Sequence, residues 1–236
     1  MLKVKDLSVK FGDFPVVENV GFEVERGESL AIVGPNGSGK TTLLRALIDQ
    51  VPYTGVVEWE KEAKIAYVPQ RVDLEKNLPL TVEDFLMAKI KTKNLPLEEM
   101  AKVLTSVNLA AEIINKRLGQ LSAGQLQRVL VAFALISGPN VILLDEPTAE
   151  VDLPGEELLY DMLHRLQDLQ KATLLIVSHD LSLVFRYATK VVCMNRRMLC
   201  YGTPKEVLTT EHLYDLYGGS WGYYHHAHGE KNLLSK

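Results

Sequence analysis

The chain has 236 residues, 47% of them hydrophobic, which suffices for one large α/β domain or for a core carrying a subdomain. Its 26 basic residues are outnumbered by 30 acidic ones and scattered along the chain, leaving a formal net charge of -4 and no electrostatic footprint for nucleic acid. The longest apolar run, Val129 to Ile136, is too short to cross a bilayer, and the N-terminal MLKVKDLSVKFG alternates like a strand instead of carrying an apolar signal core. Work at a membrane is therefore expected to go through a partner.

Residues 2 to 33 read as three strands. Leu2, Val4, Leu7, Val9 and Phe11 lie on the first, Val16 to Glu25 form the second and Ser29 to Val33 the third, with turns at Gly12-Asp13 and Arg26-Gly27. Phe11 reads equally as a core aromatic or as a platform for an adenine ring. The third strand runs into GPNGSGKTT, Gly34 to Thr42, followed by a helical run from Leu43 to Ile48. Three glycines allow the backbone N–H groups of this loop to converge on phosphate oxygens, the candidate binding residues being Gly34, Pro35, Asn36, Gly37, Ser38 and Gly39. Lys40 adds a mobile cation, and the hydroxyls of Thr41 and Thr42 stand at the helix start, Thr41 as a candidate Mg²⁺ ligand. Such a cradle at a helix N-terminus already favours an anion, because orphan N–H groups and the helix dipole point at it.

Gly55 to Trp59 and Lys64 to Pro69 read as two further strands joined by a polar turn, delivering Gln70 at a strand end. Gln70 is either a surface turn residue or a carbonyl able to reach Mg²⁺ or an attacking water. From Arg71 to about Gly138 helical patterns replace alternation. Thr81 with Asp84 forms a capped start for Val82 to Ile90, Pro96 opens a helix through Val107, and a short helix spans Ala110 to Asn115. This insertion ends in LSAGQLQRVLVAFAL, Leu121 to Leu135. There Ser122 and Gln125 form a capping box, and the same helix start, kept open by Gly124, can serve as a second anion site.

Val141 to Leu144 is read as a buried strand ending in Asp145-Glu146-Pro147. Two carboxylates there are costly unless paired or placed beside a cation. Asp145 is assigned to Mg²⁺ through water and Glu146 to polarising the water that attacks a γ-phosphate. Asp152 is expected to cap a helix with an apolar stripe of Leu159, Met162, Leu163 and Leu166, on which His164 is a bystander. The next buried strand, Thr173 to Val177, presents His179, placed to donate to a γ-phosphate. Lys190 to Asn195 and Met198 to Gly202 form a closing hairpin around Arg196-Arg197, followed by short helices from Lys205 and from Glu211 to Tyr217. The two cysteines, Cys193 and Cys200, fall on that hairpin; reduced thiols are expected, a disulfide or metal pair being the alternative. The tail from Gly218 to Lys236 holds His225, His226 and His228, either a plain tail or a transition-metal trap.

GPNGSGKTT, Gln70, LSAGQ, VILLDEP, Asp152 and His179, in this order and spacing, resemble the nucleotide-binding subunit of ATP-binding-cassette (ABC) transporters over nearly the whole chain. The resemblance implies an α/β fold: a P-loop NTPase (RecA-like) core with an antiparallel β subdomain and an inserted α-helical subdomain. It implies one domain over 1–217, its core at 1–70 and 138–217 and its helical subdomain at 71–137. It implies ATP and Mg as ligands, with Thr41, Gln70 and Asp145 toward the metal, and Glu146, His179 and Gln70 in catalysis. Lys40 and the rest of Gly34 to Thr42 then bind nucleotide, with Phe11, Ser122, Gly124, Gln125, Asp145 and Asp152. Each ATP is expected between the phosphate loop of one chain and the LSAGQ helix of another in a head-to-tail homodimer. Permease subunits, and through them a substrate-binding protein, are the expected partners, at the cytoplasmic face of the membrane. Ala123 stands where the family usually has glycine, and Phe11 where it often has tyrosine; neither removes a charge.

EPTAEVD, VSHDLSLVFRYA and the His-rich end are similar to ATPases of zinc and manganese uptake systems. The competing expectations are a soluble ABC ATPase of nucleic-acid repair or translation, a non-hydrolysing regulatory subunit, and a transporter of another substrate. The interval between Gln70 and Leu121 has no room for the long coiled coil of the repair type, and only one cassette is present.

Overall fold

The computed structural model describes residues 1–70, 72, 79–149 and 151–218, without the side chains of Leu169 and Gln170. The tail histidines, Arg71 at the start of the insertion and Glu150 of EPTAEVD lie outside the described residues.

Strands β1 (Leu2–Phe11) and β2 (Phe14–Val24) pair antiparallel, and β4 (Thr54–Trp59) pairs antiparallel on the other side of β1. In β1 the buried residues Leu2, Val4, Leu7 and Val9 break strict alternation once. A bulge between Val4 and Leu7, where Asp6 takes a φ of 51°, absorbs the extra residue and keeps the apolar side chains on one face. The remaining strands are β3 (Ser29–Val33), β5 (Ile65–Val68), β6 (Val141–Asp145), β7 (Thr173–Val177), β8 (Lys190–Asn195) and β9 (Arg197–Gly202). Together they form a nine-stranded sheet in the order β4-β1-β2-β9-β8-β3-β7-β6-β5. Every residue of β3, β6 and β7 is buried, as expected of central parallel strands covered on both faces. The antiparallel part joins the parallel part at Glu18 and Arg197, which share a register position and an ion pair of 2.7 Å.

β4 and β5 are joined by a short turn at Lys61 and Glu62, as read from the sequence, yet they do not pair and stand at the two ends of the strand order. One local reading of the sequence changes here. Cys193 and Cys200, expected as free thiols, are joined as a disulfide. They face each other across β8 and β9 in direct register, with Cα atoms 4.9 Å apart, so pairing needs no backbone movement.

Helix α1 (Lys40–Leu47) covers one sheet face, burying Leu43, Leu44, Ala46 and Leu47 against Leu7, Val17, Leu143 and Val177. On the other face lie α2 (Val82–Thr92), α3 (Glu98–Ser106), α4 (Ala123–Leu135) and α5 (Leu153–Gln170), with two 3₁₀ turns at Ala111–Asn115 and Leu118–Gln120. The first turn of α2 is held by reciprocal bonds between Thr81 and Asp84, the capping box read from sequence. Leu159, Met162, Leu163 and Leu166 are all buried on α5. His164 is half-exposed near Asp168 and the edge of Tyr187. Helices α6 (Leu181–Tyr187), α7 (Pro204–Val207) and α8 (Thr210–Tyr217) close a third apolar cluster with β8 and β9. Asp180 starts α6 by accepting from the N–H groups of Ser182 and Leu183, a cap the sequence reading had passed over. Among the described residues no helix is long and apolar enough to cross a membrane.

Candidate nucleotide site

The site sits where β3, β6 and β7 end together. Ile32 and Asp145 both pair with Val177, so the loop after β3 and the carboxylates after β6 leave the sheet side by side. Parallel strands bring their C-terminal ends to one edge, which is where open α/β sheets bind ligands.

The backbone from Gly34 to Gly39 is fitted against β8. A side chain at Gly34 would strike the Met194 carbonyl, and one at Gly39, whose φ is 96°, would come within 2.6 Å of the Val16 carbonyl. The loop is pinned by the Arg196 N–H donating to the Ser38 carbonyl at 2.9 Å. Lys40, the first residue of α1, is only 5% exposed. Its ammonium donates to the carbonyls of Gly34 at 2.9 Å and Pro35 at 3.0 Å, both within the loop. Burial pulls the Lys40 ammonium below its ordinary pKa, while Glu146 and Asp145 hold it up. The Ser38 hydroxyl is buried without a partner among the described residues, a polar atom left over inside an anion cradle.

Asp145 is 1% exposed and ends β6. Its two oxygens are held by two hydroxyls, Thr41 Oγ1 donating to Oδ1 at 2.9 Å and Tyr67 donating to Oδ2 at 3.1 Å. Burial pushes the Asp145 carboxyl up, and those two hydrogen bonds pull it back. Glu146 follows in the left-handed region at φ 45°, uncommon for a residue with a long side chain. Its Oε2 accepts from Gln70 Nε2 at 2.8 Å, and its Oε1 lies 3.7 Å from Lys40 Nζ. Gln70, Lys40, Thr41, Asp145 and Glu146 are thus one connected cluster.

The other candidates read from the sequence make no side-chain hydrogen bond or ion pair to this cluster among the described residues. His179 is exposed just beyond β7, with the neighbouring Ser178 and Asp180 tied to each other through Ser178 Oγ. Phe11 ends β1 half-exposed beside Phe14 at the tip of that hairpin. Ser122, Gly124 and Gln125 open α4, whose neighbours are α2, α3, β5 and α5. Ser122 and Gln125 spend their side chains on each other's backbone N–H at 3.2 Å, completing the capping box. Asp152 occupies the N-cap position of α5, but its side chain makes no capping bond there. The expected cap is therefore one of position only, the carboxylate lying beside Gly155 in the first turn without a capping bond. Thr42 and Asn36 remain partly or fully exposed on the loop. Tyr67 is the functional candidate the sequence reading did not single out. Only its alternation within β5, which puts it on the face of α1, hinted at its contact with Asp145.

A Mg²⁺ ion fits this donor set. Thr41 and Asp145 offer a hydroxyl and a carboxylate already within hydrogen-bond distance, and Gln70 adds a neutral carbonyl, all hard oxygen ligands of the type that magnesium takes.

A phosphate loop, a buried aspartate ending the neighbouring strand and a glutamate after it, on a sheet of this order, define a nucleotide-hydrolysing P-loop ATPase with an inserted helical layer. The chain belongs to the ABC transporter family, whose model matches residues 17–149, more than half of its length. It is similar to the zinc import ATP-binding protein ZnuC of Photorhabdus laumondii, at 38% identity over 92% of this chain and 84% of that one. Among solved structures it resembles MJ1267, an ATP-binding cassette of an ABC transporter in its ADP conformation. That likeness has a TM-score of 0.80 and 26% identity over 93% of this chain and 98% of the other. It also resembles the dimeric structure of MJ0796, a bacterial ABC transporter cassette, with a TM-score of 0.73 and 25% identity over 86% and 99% of the two chains. The chain is the ATP-binding, ATP-hydrolysing subunit of an ABC transporter.

Proposed function

We propose that this subunit powers zinc import through a separate membrane-spanning permease. The observation that carries the motor part of this reading is the single cluster of Lys40, Thr41, Asp145, Glu146 and Gln70 beside a loop built around Gly34. In this reading the N–H groups of Gly34 to Thr42 and the Lys40 ammonium hold the phosphates of ATP, and Phe11 stacks on the adenine. Thr41, Asp145 and Gln70 hold Mg²⁺, which when bound neutralises charge on the β- and γ-phosphates. Glu146 leaves its contact with Gln70 and accepts a proton from the attacking water, while His179 donates to the γ-phosphate.

Ser122, Gly124 and Gln125 complete the site of a second copy in a head-to-tail homodimer, with Asp152 at the junction. The dimeric solved relative supports this. Residues 1–217 are then one nucleotide-binding domain, with its core at 1–70 and 138–217, a helical subdomain at 71–137 and a histidine-bearing tail at 218–236. Docking on the permease puts the chain at the cytoplasmic face of the membrane, with a substrate-binding protein reached only through that permease. The zinc assignment is supported by the name of the curated relative; manganese is the competing cargo.

The test is proteoliposomes holding this chain with its permease, supplied with ATP and either radioactive zinc or manganese. ATP-dependent zinc accumulation is expected, stopped by Glu146→Gln. Manganese uptake without zinc uptake would replace the cargo, and hydrolysis with no movement of either cation would refute the importer reading.

A further inference from the structure

We propose that Tyr67 is a positioning residue for Asp145, holding one carboxylate oxygen in place so that the other is presented to Mg²⁺; the inference rests on the nucleotide-site reading above. β5 and β6 run parallel with Tyr67 opposite Leu143. Residues two apart on a strand share a face, so Tyr67, Leu143 and Asp145 all point to the side covered by α1. From that position the long Tyr67 side chain reaches diagonally along β6 and donates to Asp145 Oδ2 at 3.1 Å.

Helix α1 closes the arrangement from above. Thr41 and Arg45 are one turn apart on it, at i and i+4, and therefore face the same way. Thr41 donates to Asp145 Oδ1 at 2.9 Å. The Arg45 guanidinium adds its positive charge beside both the Tyr67 hydroxyl and the Asp145 carboxylate. One turn of helix thus sets a hydroxyl donor and a cation against the same buried carboxylate.

The two holds on the carboxylate are not equivalent. The Thr41 hydroxyl donates to Oδ1 and keeps its lone pairs for a metal, so it serves the oxygen on the metal side. The Tyr67 hydroxyl is the side-chain donor to the other oxygen, Oδ2, among the described residues. Without it a carboxylate that is only 1% exposed keeps Oδ2 unsatisfied and loses one of the two bonds that fix its plane.

The test is Tyr67→Phe, which keeps the ring and removes only the hydroxyl. Binding of a fluorescent ATP analogue is measured in EDTA and across a Mg²⁺ titration, with thermal melting as the fold control. Affinity in EDTA is expected to stay within about twofold of the native chain, while the Mg²⁺ concentration giving half-maximal binding rises about five- to tenfold, the usual effect of one lost buried hydrogen bond. An unchanged Mg²⁺ titration, or a loss of affinity equal with and without metal, overturns the inference. A native chain whose binding ignores Mg²⁺ instead overturns the nucleotide-site reading itself. Arg45→Met gives a second test that leaves the strand intact: a smaller shift of the Mg²⁺ titration in the same direction is expected once the cation beside Tyr67 and Asp145 is gone. If Tyr67→Phe fails to fold, no shift in Arg45→Met overturns the inference.

Discussion

Replacing Glu146 by Gln separates binding from cleavage. The change keeps side-chain length and the left-handed backbone at φ 45°, which costs Gln no more than Glu, so the fold is expected to hold. The Gln70 contact at 2.8 Å survives as well, since the new amide still has a carbonyl to accept from Nε2. What disappears is a negative charge 3.7 Å from the Lys40 ammonium, between side chains that are 4% and 13% exposed. At an effective dielectric of about 20 that charge pair has a gross interaction of about 4 to 5 kcal/mol. Much of it is already offset by desolvation, and the part that remains competes with phosphate for Lys40. ATP affinity is therefore expected to rise about threefold or more, while phosphate release falls about 10²- to 10⁴-fold, the span of a general-base contribution. Binding is read with a fluorescent ATP analogue, release with a coupled phosphate assay, and the ATP-bound dimer by size-exclusion chromatography, where it should accumulate. Hydrolysis within about threefold of native, or a loss of affinity parallel to the loss of rate, would refute the assignment of Glu146.

Lys40→Ala removes the charge-assisted contacts to phosphate and should weaken ATP binding by about 10- to 100-fold in isothermal titration; native affinity in that variant contradicts the cradle. Ser122→Ala removes one half of the capping box on α4, so thermal melting should drop by about 2 to 4 °C for a loss of about 1 kcal/mol. If Ser122 also completes a second copy's site, hydrolysis in that variant falls about tenfold or more while the isolated chain binds ATP normally. A lower melting point with hydrolysis untouched would leave Ser122 a helix cap and nothing else.

The parts of this protein that were readable from residue order are those governed by near neighbours. Ser29 to Val33 as a buried strand, the glycine-rich turn from there into the helix that starts at Lys40, the Thr81–Asp84 and Ser122–Gln125 boxes and the α5 stripe all rest on contacts within a few residues, whose geometry local backbone chemistry dictates. Even the expectation that Gly34, Glu146 and His179 leave one sheet edge follows from strand alternation with helices.

What tertiary structure alone decided is how distant segments meet. β4 and β5 are close in sequence yet end up at opposite edges, because β4 finds its hydrogen-bonding partner in β1 and β5 finds its own in β6. Neither partner can be inferred from the short turn between them. Cys193 and Cys200 became a disulfide because the β8–β9 register sets them face to face, and a shift of one residue would have sent one thiol to the other side. Gln70 on Glu146, and Tyr67 on Asp145, are contacts across more than seventy residues. Each depends on a sheet that exists only after the whole chain has collapsed, so residue order can nominate these side chains while packing alone determines which of them touch.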